Sequence, residues 1–293
     1  MLVFLLLRLT PGDPAAIMAG DAASAEQIER LRGTLGLDRP LVVQFGLWAR
    51  KIASGDLGES FYFRIKVSEL ILQRLEPTAA LSALTILISV LVAVPLGVAA
   101  AWRFGGWLDR ALMGMSVLGF SVPVFVLAYL LIWLVSLKLG WLPVQGYVRI
   151  ADGFFPFLQH LILPALTLSV IYMALIARVT RAAVLEALGE DYIRTARAKG
   201  LPELRVLVRH ALANAAVPIV TVIGIGVALL IGGVVVTESV YAIPGLGRLT
   251  VDAVLARDFP TIQGVILLFS VAYVLINLAI DLSYLFLDPR IRY

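Results

Sequence analysis

The stretch EALGEDYIRTARAKGLPELRVLVRHALANAAV, residues 186–217, is a polar and basic island in a chain that is otherwise mostly apolar. Acidic side chains at Glu190 and Asp191 suit the positive end of a helix dipole, and Gly200 suits the left-handed residue that closes a helix. Pro202 disfavours helical geometry at the residue before it and can itself begin a second helix. The stretch therefore predicts a short helix, a sharp corner and another helix.

Three interpretations of this helix pair are open on the residues alone. On the first helix, Ile193 and Ala196 share one face with Tyr192 beside them, whereas Arg194 and Arg197 share another face. Such a shape suits docking into a partner, but an ordinary charged cytoplasmic loop has the same composition. A helix-turn-helix that binds DNA is disfavoured, because apolar segments flank the island closely on both sides.

The composition indicates an integral membrane protein. Of the 293 residues, 60% are hydrophobic and 15% are charged, whereas ordinary soluble domains have about 25% charged residues. Several uncharged apolar runs have roughly the 20-residue length that crosses a bilayer as a helix. The chain has no cysteine, which excludes disulfides, thiolate metal sites and thiol catalysis.

The hydropathy pattern divides the chain into three parts. Residues 1–9 are predicted to be the remnant of a first span, residues 10–75 an extracytoplasmic segment, and residues 76–293 a transmembrane domain. Its predicted spans cover about 77–102, 111–137, 159–179, 214–236 and 261–287, with a cytoplasmic loop at 180–213.

The amino terminus is shorter than a membrane span. The apolar run at residues 2–9 is interrupted by Arg8 and is too short to cross a bilayer. Either translation starts upstream of the assigned start, which we favour, or the first span is genuinely shortened. A cleaved signal peptide is disfavoured, since no small-residue cleavage site follows. Ser24 and Gln27 then predict a capped helix that runs to Leu35.

The distribution of Lys and Arg predicts the orientation. Connections at 103–110, 178–213 and 288–293 carry two, seven and two such residues, whereas those at 138–158 and 237–260 carry two each. Cytoplasmic loops are the more basic ones, so the island and the carboxyl terminus should face the cytoplasm. The amino-terminal segment carries eight, but long translocated segments follow the rule poorly.

Prolines fall within or at the start of four predicted spans. Proline removes a backbone hydrogen bond and kinks a helix. The kinks could let helices separate around a transport path, or the packing of a bundle could simply tolerate them. The residues are Pro95, Pro123, Pro164 and Pro218.

The sequence offers no catalytic constellation. It contains no Gly-x-x-x-x-Gly-Lys-Ser/Thr phosphate loop, so ATP hydrolysis, if it drives this protein, needs another subunit. The two histidines, His160 and His210, are predicted on opposite sides of the membrane and cannot form one site. We therefore predict no catalytic residues, no metal site, no cofactor and no enzymatic activity.

The island resembles the cytoplasmic EAA loop of ABC-importer permeases, and specifically that of the dipeptide/oligopeptide/nickel branch. The runs concerned are GEDYIRTARAKG at 189–200 and RHALAN at 209–214. Ala196, Gly200 and Leu212 match the general pattern, whereas Arg194, Thr195 and Ala213 depart from it in the manner of the peptide branch. The resemblance implies a coupling helix that binds a separate ATPase subunit. Its residues are Glu190, Asp191, Tyr192, Ile193, Arg194, Thr195, Ala196, Arg197, Ala198, Lys199 and Gly200.

A second stretch, TESVYAIPGLGRL at 237–249, resembles the outer loop of the same permeases. PGDP at 11–14 and DPRIR at 288–292 also resemble family landmarks. The resemblance implies that the outer loop forms a gate or docks a binding protein. The residues concerned are Glu238, Pro244, Gly245, Gly247 and Arg248.

The resemblance implies an all-α polytopic membrane protein, a permease bundle of about six transmembrane helices whose first helix is truncated here. The implied function is import of short peptides through the cytoplasmic (inner) membrane. Implied partners are a homologous second permease, two ABC ATPase subunits and an extracytoplasmic solute-binding protein, with no nucleic acid. Import of nickel, glutathione or oligosaccharide is the alternative within the family. A secondary transporter or channel is the alternative from another class.

Overall fold

The computed structural model describes residues 3–5, 15–16, 24–34 and 36–287, and this part of the chain is helical. The predicted all-α polytopic class is confirmed. The PGDP run and the DPRIR tail lie outside the described residues, as does most of the 1–9 remnant. The α-helices are α1 Ala25–Thr34, α2 Leu41–Ala53, α3 Val67–Trp102, α4 Trp107–Ser121, α5 Val124–Leu131, α6 Phe154–Leu188, α7 Asp191–Ala198, α8 Glu203–Arg205, α9 Ala216–Val240, α10 Leu246–Leu255 and α11 Phe259–Leu287, with π-helical segments at Ile132–Lys138 and Val206–Leu212.

Three described helices are long and apolar enough to cross a membrane. They are α3, α6 and the part of α11 that covers Phe259–Leu285. Two further pairs of helices qualify if each bent pair forms one span, which gives up to five crossings in the described residues. α3 begins at Val67, before the predicted span at 77–102, because hydropathy marks only the apolar part of a helix whose first turns are polar.

The predicted span at 111–137 is not one continuous helix. α4 ends at Ser121, and Val122 is extended with φ −90° and ψ 121°. The residue before a proline is pushed out of helical geometry, and Pro123 is the residue that follows. α5 then starts, and the two segments meet at an angle of 103°. Pro95 and Pro164, in contrast, lie inside continuous helices.

The chain divides into two compact units, the first formed by residues 1–75 and 248–271. α1 opens with the predicted cap: the Ser24 N–H donates to Gln27 Oε1 at 2.9 Å, and the Gln27 N–H donates to Ser24 Oγ at 3.3 Å. A buried carboxylate, Asp258, accepts hydrogen bonds from the Ser60 hydroxyl at 2.5 Å and the Thr261 hydroxyl at 2.7 Å. This polar centre fixes the turn before α3 to the start of α11.

The second unit, residues 76–247 and 272–293, is a helical bundle. Its core consists mainly of side chains from α3, α6 and α9. Helices approach most closely where small residues lie between them, as is usual in membranes. At Gly97 on α3, a β-carbon would come within 2.7 Å of Thr180 Cβ and 2.8 Å of the Ala177 carbonyl oxygen on α6. The backbone contact at this crossing therefore requires glycine.

The Gly97 crossing provides a test of the bundle. We expect Gly97→Ala to destabilise the protein by about 1–3 kcal/mol, because the new methyl group overlaps the backbone of α6. The matched control is Gly114→Ala on α4, where no heavy atom lies within 4 Å of the added carbon. Thermal unfolding of both variants in detergent measures the difference. Equal melting temperatures for the two variants would contradict this account of the crossing.

Candidate functional site

The predicted coupling helix is α7, which follows α6 after a two-residue turn at Gly189 and Glu190 and is closed by hydrogen bonds at its carboxyl end. The Gly200 N–H donates to the Arg197 carbonyl at 2.9 Å, and the Leu201 N–H donates to the Ala196 carbonyl at 3.3 Å. Gly200 has φ +76°, so the helix ends in the left-handed glycine arrangement that satisfies its last carbonyls. Pro202 caps α8 instead of being its first residue.

The apolar face of α7 is buried against its own bundle. Ile193 is fully buried and Ala196 is 7% exposed. Both belong to one apolar cluster with side chains from the ends of α3 and α6, from the π-helical segment at Val206–Leu212 and from the start of α9. Its buried members are Ala101, Val184, Ala187, Ile193, Ala196, Val206, Ala211, Ala215 and Ile219. Ile193 and Ala196 therefore anchor α7 and are not available to a partner.

The opposite face of α7 is polar and exposed. Asp191 and Arg194 form an ion pair at 3.2 Å, with side chains that are 94% and 77% exposed. The exposed residues of the predicted coupling set are Glu190, Asp191, Tyr192, Arg194, Thr195, Arg197, Ala198, Lys199 and Gly200. A partner that binds α7 from outside the bundle would contact these residues.

An ion pair links the two sides of the corner. Arg197 on α7 donates to both carboxylate oxygens of Glu203 on α8, at 2.6 and 3.2 Å. The hydrogen bond to Glu203 raises the pKa of the Arg197 guanidinium. Because both side chains are partly exposed, the pair contributes at most about 1 kcal/mol, but its two-point geometry restricts the angle between the helices.

A buried ion pair that sequence reasoning missed lies at the same end of the bundle. Arg181 on α6 donates to both oxygens of Asp109 on α4, at 2.7 and 2.9 Å. The Gly105 N–H also donates to Asp109, at 3.0 Å. The sequence does not reveal this pair, because its two partners are 72 residues apart. The one local signal is an acid, Asp109, in the first turn of a helix that follows two glycines.

The outer loop is organised around a buried carboxylate, Glu238. The Thr78 hydroxyl on α3 donates to Glu238 at 2.5 Å and accepts a hydrogen bond from the Leu246 N–H at 2.8 Å. A β-carbon on Gly245 would overlap the Glu238 carboxylate, and one on Gly247 would overlap the Val235 backbone. The two glycines are therefore required for the loop to fold over the end of α9.

The five residues predicted for an outer gate or docking site differ in exposure. Glu238, Gly245 and Gly247 are buried, whereas Pro244 and Arg248 are partly exposed. A direct contact between a docking protein and the Glu238 carboxylate is thus blocked in this conformation. The structure favours a scaffolding role for the buried three.

A second acid orders the connection before α6. The Glu76 carboxylate on α3 accepts hydrogen bonds from the Tyr147 hydroxyl and the Ile150 N–H, both at 3.1 Å. Burial, together with the hydrogen bond to Glu76, raises the pKa of the Tyr147 hydroxyl well above its usual value. Tyr147 therefore remains a neutral donor throughout the physiological range.

The described residues contain no candidate metal site. No group of three or more His, Asp or Glu side chains there is arranged to hold a metal ion. The His160 ring forms a hydrogen bond with the Pro156 carbonyl in the preceding turn of α6, at 2.8 Å.

Two family models together match nearly the whole chain. Residues 93–293 match the model described as the inner membrane component of binding-protein-dependent transport systems, and residues 1–82 match the amino-terminal model of such membrane components. The chain belongs to this family of ABC-importer permeases. It is therefore a multi-pass protein of the inner membrane and a transport subunit.

Named relatives cover the chain almost end to end. A probable peptide ABC transporter permease, y4tP of Sinorhizobium fredii, is 55% identical over 99% of this chain and 93% of its own. A putative peptide transport system permease of Brucella abortus is 47% identical over 100% of this chain and 93% of its own. The glutathione transport system permease GsiC of Salmonella typhi is 46% identical over the same shares.

Solved structures support the fold. A chain of the inward-facing MetNI methionine ABC transporter superposes with a TM-score of 0.63, covering 75% of this permease and 97% of that chain. The two sequences are 20% identical, so this likeness concerns architecture alone. The predicted permease bundle is confirmed.

The Asp109–Arg181 pair provides a second test. Asp109→Asn leaves the Arg181 charge buried without its partner, and we expect a loss of about 3–5 kcal/mol. Removing both charges in Asp109→Asn/Arg181→Gln should recover much of this loss. Glu26→Gln, which removes one partner of an exposed pair, is the control and should change stability little. Thermal unfolding distinguishes the variants, and a double variant as unstable as Asp109→Asn would contradict a charge-pair effect.

Proposed function

We propose that this permease imports short peptides, paired with a second homologous permease, two ABC ATPase subunits and an extracytoplasmic solute-binding protein. The observation that carries the proposal is α7: a short polar helix closed by Gly200 at its carboxyl end, with one face buried on the bundle and the other exposed. Family membership supplies the context in which such a helix contacts a motor subunit.

The packing of α7 supports its role as a lever. An ATPase that closes on ATP would press on the exposed face of α7. Ile193 and Ala196 would transmit that displacement to the ends of α6 and the π segment, since all share one apolar cluster. The Arg197–Glu203 ion pair would restrict the angle between α7 and α8, so that the two helices move together. The bundle would then change from inward-facing to outward-facing.

The distribution of Lys and Arg supports an orientation in which α7 faces the cytoplasm, where ATP is available. The 178–213 connection carries seven Lys and Arg residues, against two in each of the connections at 138–158 and 237–260, and short basic loops remain in the cytoplasm. We infer that the carboxyl terminus is also cytoplasmic and that the outer loop at 237–249 faces the opposite side. There, the Thr78–Glu238 contact would brace the mouth of the path.

The proposed substrate is a short peptide. Two of the quoted relatives are named for peptide transport and one for glutathione, which favours peptides over nickel or oligosaccharides. The solute-binding protein would deliver the substrate to the outer mouth. Ligand analysis of that binding protein, purified from the same organism, tests the substrate class directly; bound nickel or oligosaccharide would contradict it.

The lever role predicts uncoupling when the helix closure is lost. Gly200→Val puts a β-branched residue at φ +76°, a conformation that costs about 1–2 kcal/mol without glycine. We expect the assembled transporter to remain in the membrane and to hydrolyse ATP while peptide uptake falls at least about tenfold. Uptake and hydrolysis in proteoliposomes measure this.

Gly55→Val is the matched control for Gly200→Val. Gly55 has φ +81° and open space around it, so the backbone strain is similar but lies in the amino-terminal segment. Uptake should remain close to that of the unmodified protein. Unchanged uptake in Gly200→Val, or an equal loss in both variants, would argue against a lever at α7.

The exposed face of α7 predicts where the ATPase binds. Because the chain has no cysteine, single cysteines report on single positions. Thr195→Cys should form a crosslink to the ATPase subunit, since Thr195 is exposed, whereas its neighbour Ala196, only 7% exposed, should not when changed to Cys. Crosslinking yields on denaturing gels measure both. Crosslinks at Ala196 and none at Thr195 would contradict the prediction, because they would place the ATPase on the face of α7 that packs against the bundle.

A further inference from the structure

The connection between α3 and α4 exposes three large aromatic side chains. In the run Trp-Arg-Phe-Gly-Gly-Trp at 102–107, Trp102 is 47% exposed, Phe104 62% and Trp107 75%. The connection follows an apolar helix of 36 residues and precedes another apolar helix. Its aromatic rings therefore lie at the level where a membrane helix ends.

The same connection presents positive charge and no accessible negative charge. The Arg103 guanidinium lies 5.1 Å from the centre of the Trp102 ring, and in the described part of the chain no carboxylate is within 4.0 Å of Arg103 or Arg110. The one acid nearby, Asp109, is 4% exposed and is occupied by Arg181. Within residues 102–110, two exposed arginines thus flank a carboxylate whose charge is already paired with Arg181.

The connection is held in shape before any ligand binds. Gly105 has φ +76°, its N–H donates to Asp109, and the Gly106 N–H donates to the Arg103 carbonyl at 2.9 Å. The Arg181 guanidinium also lies 5.0 Å from the centre of the Phe104 ring. A preformed surface loses little conformational entropy when it binds.

We propose that this surface, formed by Trp102, Arg103, Phe104, Trp107 and Arg110, binds the headgroup of an anionic phospholipid. Tryptophan rings favour the boundary between acyl chains and water. Guanidinium groups bind phosphate oxygens through paired hydrogen bonds. The stacking of Arg103 on Trp102 leaves the edge donors of the guanidinium free for a phosphate.

A lipid fits the surface better than a soluble anion or a protein. Three exposed rings beside the end of a span would remain in contact with water around a free anion, whereas a phospholipid covers them with its glycerol and upper acyl chain. The surface also adjoins the cluster that holds α7, because Ala101 belongs to that cluster. A bound lipid would therefore lie next to the coupling loop, whatever solute is transported.

Native mass spectrometry of the full chain, titrated with dioleoyl phosphatidylglycerol or dioleoyl phosphatidylcholine, tests the proposal. We expect tighter retention of phosphatidylglycerol, and a fall in its affinity of about thirtyfold in Arg103→Gln/Arg110→Gln, since each of the two cations near an anionic surface contributes about 1 kcal/mol and about 1.4 kcal/mol corresponds to a tenfold change. Affinity for phosphatidylcholine should not change. Lys138→Gln is the matched control, because Lys138 lies 5.4 Å from the Trp133 ring in a similar pairing; it should retain phosphatidylglycerol.

Three outcomes would overturn the proposal. One is equal retention of the two lipids by the unmodified chain. Another is unchanged phosphatidylglycerol affinity in the double variant, or an equal loss in Lys138→Gln. The third is displacement of phosphatidylglycerol by inorganic phosphate, which would assign the arginines to a soluble anion. If the double variant keeps its lipid affinity but no longer assembles with ATPase subunits, the surface belongs to a protein partner.

Discussion

Burial of Ile193 against the bundle is the interaction on which the coupling loop depends. α7 has eight residues, and isolated helices shorter than about 12–15 residues are marginal in water. Burying an isoleucine side chain contributes about 1.5–3 kcal/mol, which helps to offset that weakness together with the glycine closure at the carboxyl end of the helix. α7 is therefore stable only while it packs against the bundle, so its helical shape and its position on the bundle cannot change separately. A partner that moves α7 must move the structure beneath it.

The bundle combines close contacts between helices with buried acids. Five residues before the end of α3, glycine at Gly97 lets two backbones touch, so that dispersion forces act over a short distance. At the ends, where water is close, buried acids organise the connections: Asp109 fixes the turn before α4, and Glu238 fixes the loop after α9. Each carboxylate accepts more than one contact or is enclosed by glycines, so each connection has one preferred shape.

Sequence analysis correctly predicted the features that depend on interactions between neighbouring residues. The capping pair at Ser24 and the left-handed Gly200 follow from neighbours within a few residues, and both are present in the structure. The family resemblance supplied the bundle and the transport role. Neither source revealed that Ala196 faces inward or that Asp109 pairs with Arg181, because those facts depend on residues far apart in sequence. Hydropathy likewise predicted one helix across Pro123, since apolar composition is continuous there although the backbone is not.

The π-helical segment at Val206–Leu212 gives the corner a property that a regular helix would lack. Its hydrogen bonds reach one residue further than those of an α-helix, so it holds one residue in excess, and a bend of 64° separates it from α9. Rewinding it into α geometry would shift the chain before it by one residue, which is about 1.5 Å along the axis and about 100° around it. Such a change exchanges one hydrogen-bond pattern for another without exposing the backbone. Displacement of α7 can thus end in a discrete step of register.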